Sequence, residues 1–296
     1  MALSIENIRS RTRVKRFNRA GKVLAVLCSF PKSGSQHLQE LLARHVPGLA
    51  VHKPKYAGGW GNNFISAERL LAALDPRGEH LVYGHFPRTQ DTENLLCRFD
   101  DWRLVLLLRP LPDVLVSYRE HVERKTWGPL DYRIEGFSEA VPGFDRMSVG
   151  ERNDYLIRFL LPWYLKFLVS WIGCELRAPI KLVTFEQQTA HPVETLEEIT
   201  RFLGFELDRA ALAASGARLR PFNFNKGVPG RGRGELGAAQ LDRIRELVDT
   251  FGILRGTSLG EYLTEGFGRE GFTLSDLMAA GEEHPLLGTA DREARP

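Results

Sequence analysis

The sequence predicts an α/β fold with three layers, α/β/α, in which helices cover both faces of a central parallel sheet. Apolar runs rich in β-forming residues occur at 23–29, 103–108 and 180–185, each bounded by glycine, proline or charged residues. Unbroken runs of this length are typical of strands buried on both faces of a parallel sheet. Segments in which apolar residues recur every three or four positions alternate with these runs, which favours crossover helices.

The elements are predicted to form one domain at residues 21–268. After the first strand and a glycine-containing turn, helices are predicted at 33–44, 66–74, 112–121, 153–173, 192–203, 212–220 and 238–251, and a short strand at 80–83. Loops rich in glycine or proline are predicted at 46–63, 125–152 and 222–234. A basic helical arm (1–20) precedes the domain, and a weakly ordered polar tail (269–296) follows it.

Composition excludes several classes of protein. The 296 residues are 43% hydrophobic and carry a net charge of +3, which is too mild for a nucleic-acid binder but suits a cationic pocket for an anion. Cys28, Cys97 and Cys174 lack metal-ligand spacing, so we expect free thiols in a reducing compartment and no metal site. Without a signal peptide or a transmembrane segment, the expected location is cytoplasmic. The basic arm suits weak contact with a membrane surface, although a solvated arm is the preferred interpretation.

The turn after the first strand has the composition of an anion site. Residues 29–35 read S-F-P-K-S-G-S, so that Lys32 lies two positions before Gly34. The N–H groups and hydroxyls of Ser33, Gly34, Ser35 and Gln36 would lie at the start of the next helix. The G-x-x-x-x-G-K-[ST] pattern of nucleoside triphosphatases is absent. An ordinary turn with a surface lysine is the alternative interpretation.

Two further segments point to a second anionic group. The strand at 103–108 ends in Arg109, with Ser117 eight residues later, and not in the carboxylate that a magnesium-dependent phosphotransferase places at a strand end. The segment 226–234, K-G-V-P-G-R-G-R-G, combines glycine with basic residues that can wrap an anion. Each has a simpler alternative, a solvated strand end or a basic surface loop. Together they indicate a ligand with two phosphate-like groups at the carboxyl edge of the sheet.

These segments resemble, in order and spacing, the motifs of cytosolic-type sulfotransferases that use 3′-phosphoadenosine 5′-phosphosulfate (PAPS). F-P-K-S-G-S at 30–35 resembles the family's 5′-phosphosulfate loop, and R-P-L-P-D-V-L-V-S at 109–117 its 3′-phosphate motif. N-K-G-V-P-G-R-G-R at 225–233 resembles its late glycine-rich loop. Weaker similarities at 163–171 and 184–204 extend the resemblance over residues 22–251.

The resemblance implies a role for each matching residue. The residues expected to hold the 5′-phosphosulfate are Lys32, Ser33, Gly34, Ser35 and Gln36, and those expected to hold the 3′-phosphate are Arg109, Ser117, Lys226 and Gly227. His37 stands where the family commonly has an adenine-stacking tryptophan, and Phe185 where it often has a tyrosine. Asn225 replaces an arginine and Arg233 a lysine. These departures concern the adenine contacts more than the phosphate contacts.

The implied chemistry is an in-line transfer of a sulfuryl group to an acceptor hydroxyl. Lys32 would neutralise the oxygen of the departing phosphate, and no metal is needed. His85, in Y-G-H-F-P, resembles the family's general base, with a structural histidine as the alternative. The expected acceptor is a small alcohol, phenol, lipid or saccharide. The alternatives are a P-loop-type nucleotide kinase and a non-catalytic nucleotide-binding interaction protein.

Overall fold

A computed structural model describes residues 5–53, 65–124, 143–172, 178–215 and 227–266, with side chains from residue 11 onward. Within these ranges, five parallel strands form one sheet in the order β2-β3-β1-β4-β5. The strands are β1 (Leu24–Ser29), β2 (Leu49–His52), β3 (Glu79–Gly84), β4 (Trp102–Leu108) and β5 (Ile180–Thr184). The predicted α/β fold with a central parallel sheet is therefore confirmed.

The helices lie before, between and after the strands. They are α1 (Ile5–Arg19), α2 (Ser35–His45), α3 (Ala67–Ala73), α4 (Gln90–Leu96), α5 (Leu111–Arg124), α6 (Val149–Phe159), α7 (Leu161–Trp171), α8 (Phe185–Ala190), α9 (Pro192–Leu203), α10 (Arg209–Ser215), α11 (Arg231–Glu235), α12 (Ala238–Thr250) and α13 (Ser258–Glu265). A turn of 3-10 helix at Phe144–Arg146 precedes α6. The predicted helical arm corresponds to α1, and the predicted tail lies outside the described residues.

Three predicted boundaries are wrong. The loop predicted at 46–63 contains β2, a half-buried edge strand. Pro47 and Gly48, directly before it, favour a loop in the sequence. The single helix predicted at 153–173 is two helices, because Pro162 in the first turn of α7 cannot continue the helix before it. α6 also starts earlier than predicted, at the end of the predicted 125–152 loop, where Ser148 forms a capping box with Glu151.

Four helices occupy positions where none is predicted: α4 and α13, and the two short helices α8 and α11. The sequence predicts Phe185 at the end of a strand, but the Thr184 side chain accepts from the backbone N–H of Gln187 and α8 begins at Phe185. The predicted loop at 222–234 contains the start of α11. The two short helices lie close to the carboxyl edge of the sheet, so these differences bear on the site.

The core lies on both faces of the sheet, because the central strands are buried on both sides. All six residues of β1 are buried, and they alternate between the two faces. Leu24 and Val26 pack with Leu104 and Leu106 on one face, whereas the second face includes Leu27. Each fully buried aliphatic side chain of this size contributes about 1.5–3 kcal/mol.

The parallel register brings the strand ends together. Cys28 of β1 pairs with Gly84 of β3, and Ser29 pairs with Leu107 of β4. Leu108 of β4 in turn pairs with Thr184 of β5. The residues that follow four neighbouring strands therefore meet at one edge. They are the turn at 30–34, His85, Arg109 and Phe185.

Candidate active site

The turn between β1 and α2 has an unusual backbone conformation. Lys32 has a φ of 72° and is the sole non-glycine residue with a positive φ in the described part of the chain. This left-handed conformation costs an ordinary residue about 1–2 kcal/mol. Gly34, with a φ of 86°, is the N-cap of α2, and no side chain caps the helix there. The first N–H groups of α2 thus keep the arrangement that binds anions at a helix N-terminus.

Glycine is required at position 34 for its positive φ and also because there is no room for a side chain. A Cβ atom at this position would lie 3.0 Å from the Phe185 ring and 3.3 Å from Oε1 of Gln188. The Gln188 side chain also donates a hydrogen bond of 3.1 Å from Nε2 to the carbonyl oxygen of Gly34. The start of α8 therefore fixes the turn from the β5 side.

The polar side chains of the turn have different surroundings. Ser33 is fully buried, and its Oγ has no hydrogen-bond partner among the described residues. Ser35 Oγ lies 3.1 Å from the hydroxyl of Tyr83 at the end of β3. Gln36 donates from Nε2 to Glu40 at 3.1 Å, along the helix surface. The fit to an anion therefore rests mainly on the backbone N–H groups and on the Ser33 hydroxyl.

His37, in the first turn of α2, is partly buried. Its Nδ1 is buried and has no hydrogen-bond partner within the described ranges. Burial lowers the pKa of His37, and the charge of Glu40 opposes this change only in part. A neutral imidazole has a flat face that can stack on an adenine ring, and adenine stacking is the role expected for this position.

Arg109, directly after β4, is held on several sides. Its Nη1 donates to the carbonyl oxygen of Lys32 at 2.9 Å, and its Nη2 lies 3.6 Å from Oδ2 of Asp113. Its guanidinium carbon lies 3.9 Å from the centre of the Phe185 ring. Burial lowers the pKa of Arg109, and the carboxylates of Asp113 and Glu186 oppose this, so the group remains a cation.

The late glycine-rich segment is attached to the same place through Asp113. This carboxylate accepts hydrogen bonds from the N–H groups of Gly230, at 2.8 Å, and Gly232, at 2.6 Å. A Cβ atom on Gly232 would overlap the backbone carbonyl of Pro112. Ser117, on the buried side of α5, is 3% exposed. The structure thus brings Arg109 and the segment after Gly227 together, whereas Lys226 lies outside the described residues.

The two arginines of the glycine-rich segment, Arg231 and Arg233, form ion pairs with glutamates of the protein. Arg231 forms ion pairs with Glu120, at 2.6 Å, and with Glu235, at 2.7 Å. Arg233 pairs with Glu265 at 2.6 Å. Their positive charge is therefore compensated within the protein. Glu235 lies one turn after Arg231 in α11, but the sequence pattern of alternating glycine and arginine does not reveal Glu120 or Glu265, because these two residues lie on the distant helices α5 and α13.

His85 follows β3 directly and is 7% exposed. Its Nδ1 lies 2.9 Å from the carbonyl oxygen of Ser29 and 3.2 Å from the Ser29 hydroxyl. A carbonyl only accepts, so the shorter contact requires the hydrogen on Nδ1. In the neutral ring, Nε2 is then the nitrogen with a lone pair. The bond to a backbone carbonyl matches the structural alternative, and it also gives the tautomer that a general base requires.

Several residues near the site were missed at the level of sequence. Tyr262 of α13 donates to Oε2 of Glu186 at 2.6 Å and lies 3.4 Å from the carbonyl oxygen of Leu108. Burial raises the pKa of Glu186. Asp113 lies inside the motif at 109–117, so its position could have signalled a role, whereas nothing in the sequence joins Tyr262 to β4.

Neither a metal-binding cluster nor a membrane-spanning helix occurs among the residues that the structure describes. Within the described ranges, no group of three or more His, Cys, Asp or Glu residues could hold a metal ion. None of the described helices is both long and apolar enough to cross a membrane.

The chain is similar in fold to solved structures, but not in sequence to any family model or curated protein. No protein-family model matches the chain, and no curated protein sequence does. Solved structures that match include mouse sulfotransferase SULT7A1 complexed with PAP, with a TM-score of 0.58, 15% identity, and coverage of 89% of this chain and 96% of that one. They also include retinol dehydratase in complex with androsterone and inactive cofactor PAP, with a TM-score of 0.55, 15% identity, and coverage of 85% and 87%. The chain has the α/β fold of these sulfotransferase structures.

Proposed function

We propose that this protein transfers the sulfuryl group of PAPS to the hydroxyl group of an acceptor. The observation that carries the proposal is the bond of 2.9 Å from Arg109 to the carbonyl oxygen of Lys32. It makes neighbours of the two anion-binding motifs that the sequence separates by 77 positions. A donor with one phosphate at each end of a ribose needs two such sites side by side. The PAP-bound structures with the same fold support this interpretation.

The 5′-phosphosulfate would lie on the turn at 30–34. The N–H groups at the start of α2 and the Ser33 hydroxyl face it in this proposal, with Ser35 and Gln36 completing the cradle. Lys32 supplies a positive charge to the bridging oxygen, on which negative charge grows as the bond to sulfur breaks. Removing one such group typically lowers kcat by about 10²–10³-fold.

The 3′-phosphate would be held by a second set of residues, which are Arg109, Ser117, Lys226 and Gly227. Arg109 offers Nε, which is buried and has no hydrogen-bond partner among the described residues. His37 and Phe185 are proposed for the adenine. Phe185 is 4% exposed and covered by Arg109, so its contact would be through an edge of its ring.

The transfer step needs one proton acceptor. The acceptor oxygen attacks sulfur, the bond from sulfur to the 5′-phosphate oxygen breaks, and 3′,5′-ADP leaves. The proton of the acceptor hydroxyl passes to Nε2 of His85, while Nδ1 keeps its hydrogen bond to Ser29. This step requires no metal in the proposal. The acceptor is a small alcohol, phenol, lipid or saccharide, and the cytoplasm is the proposed location.

The test is a transfer assay with radiolabelled PAPS and a panel of hydroxyl compounds. The panel includes a steroid alcohol, since androsterone is present in one of the similar structures. We expect label on at least one acceptor, and a kcat at least 10²-fold lower for Lys32→Ala than for the control Lys181→Ala, whose lysine forms an ion pair with Glu198. Phosphoryl transfer from ATP with Mg²⁺ instead, or full activity of Lys32→Ala, would contradict the proposal.

A further inference from the structure

The guanidinium group of Arg109 is shared between three segments of the chain. The side chain is 7% exposed, and it contacts the turn through the Lys32 carbonyl and α5 through Asp113. Its flat face lies on Phe185 at the start of α8. A residue that served only to attract a phosphate would not need to be fixed in so many directions. The bond to Lys32 is the contact that a phosphate-binding role leaves unexplained.

This bond acts on the most constrained residue of the turn. Lys32 has a left-handed backbone, which lysine adopts only where its surroundings hold it. A hydrogen bond from a buried cation to the Lys32 carbonyl fixes the orientation of the peptide group between Lys32 and Ser33. The Ser33 N–H of the same peptide group donates to the carbonyl oxygen of Phe30 at 3.2 Å, so this peptide is held at both of its polar atoms. Arg109 therefore restrains Lys32 and the peptide group that leads from it to the start of α2.

We propose that Arg109 is a positioning residue for Lys32, in addition to any contact with the 3′-phosphate. This inference rests on the proposed function, because it concerns how Lys32 is placed for the transfer step. Loss of Arg109 then lowers the rate of transfer itself, and not only the affinity for the part of the donor that carries the 3′-phosphate. Recognition of the donor at one end is linked to the geometry at the other end by this single side chain.

A donor without the 3′-phosphate separates the two roles. Adenosine 5′-phosphosulfate (APS) has the same sulfuryl group and the same 5′-phosphate, but nothing for a 3′-phosphate site to bind. If Arg109 acted only on the 3′-phosphate, its removal would leave the handling of APS unchanged. If Arg109 also positions Lys32, its removal impairs APS and PAPS alike.

The variants are Arg109→Ala and Arg109→Lys, with Arg103→Ala as the control. Arg103 lies at the other end of β4 and also donates to a backbone carbonyl, that of Phe202, at 2.7 Å. Arg109→Lys keeps a positive charge for Asp113 but lacks the second N–H branch that reaches the Lys32 carbonyl. It keeps the proposal testable if Arg109→Ala does not fold. Thermal unfolding identifies the temperature range in which each variant is native.

Two quantities are measured in that range, the dissociation constant for APS by calorimetry and kcat at saturating PAPS. For both Arg109 variants we expect APS to bind at least fivefold more weakly and kcat to fall at least tenfold. Arg103→Ala should change neither quantity by more than twofold. A merely structural role would lower the unfolding temperature without lowering kcat.

The proposal is overturned if the folded Arg109 variants bind APS as the unaltered protein does and keep kcat within twofold, while KM for PAPS rises. That result would assign Arg109 to the 3′-phosphate alone. Failure of the proposed function has a different signature, since the unaltered chain would then transfer no label from PAPS to any acceptor.

Discussion

The two halves of the candidate site are built in different ways. The 5′ half is the turn at 30–34 with His85 beside it, and it consists largely of backbone groups on adjacent strands β1 and β3. The 3′ half is Arg109, α5 and the segment from Gly227, and it depends on side-chain contacts between positions more than 100 residues apart. The residue pattern of the 5′ half is therefore local in the sequence, although Arg109 and Gln188 hold its turn in place, whereas the 3′ half is assembled by contacts between distant segments.

The largest expected effect lies in the 5′ half, at His85. Asparagine at this position can still donate to the Ser29 carbonyl but cannot accept the proton, so we expect His85→Asn to lower kcat by about 10²–10⁴-fold. The measurement is kcat with radiolabelled PAPS, and His191→Ala, at an exposed position, is the control. If His85→Asn were active while His85→Ala was inactive, the role of His85 would be structural and the 5′ half would lack a base.

The next effect tests the 3′ half alone. Gly232→Ala forces a side chain into the Pro112 carbonyl and should move the late segment away from Asp113. We expect PAP to bind at least tenfold more weakly, with little change for AMP, which has only the 5′-phosphate. Calorimetric titration measures both.

The control for this change is Gly234→Ala, two positions on, where a Cβ atom has nothing within 4 Å. It should bind PAP as the unaltered chain does. Equal losses for PAP and AMP in Gly232→Ala would show that the two halves are not separable.

A smaller effect on stability is expected in the turn. Gly34→Ala combines an unfavourable φ with a contact of 3.0 Å to the Phe185 ring. Its control, Gly21→Ala, has an unfavourable φ of 62° but open space around it. We expect Gly34→Ala to lower the free energy of unfolding by about 1–3 kcal/mol more than the control, as overpacking usually does. Denaturant unfolding measures this difference, and equal losses would mean that the Phe185 ring yields without cost.

The smallest effect concerns Glu186, which borders the 3′ half. Burial raises the pKa of Glu186, so its charged form is less favourable in the folded state than in the unfolded state. Protonated Glu186 contributes its full share of folding stability below the pKa of an ordinary glutamate. This contribution is lost as pH rises through the raised pKa of the folded state. Relative to the unaltered protein, Glu186→Gln should therefore gain stability as pH rises from the ordinary carboxyl pKa, about 4.3, through the raised pKa of Glu186.

Thermal unfolding over that pH range checks this prediction. A constant difference between Glu186→Gln and the unaltered chain would contradict it. The conservative change keeps the side-chain volume and an oxygen for the Tyr262 hydroxyl, so that the comparison reports mainly on charge.

The parallel sheet and the anion-binding composition of the turn at 30–34 could be predicted from the sequence alone. Both are encoded locally, the strands as unbroken apolar runs and the turn as Lys32 and Gly34 between a strand and a helix. The sequence also identified Arg109 and the glycine-rich segment as anion-binding candidates, but not how they meet. Only the tertiary structure shows that Asp113 joins Arg109 to the glycine-rich segment and that Arg109 donates to the Lys32 carbonyl. It also shows that Arg231 and Arg233 pair with glutamates. These contacts link distant positions, and local periodicity carries no information about which buried donor meets which acceptor.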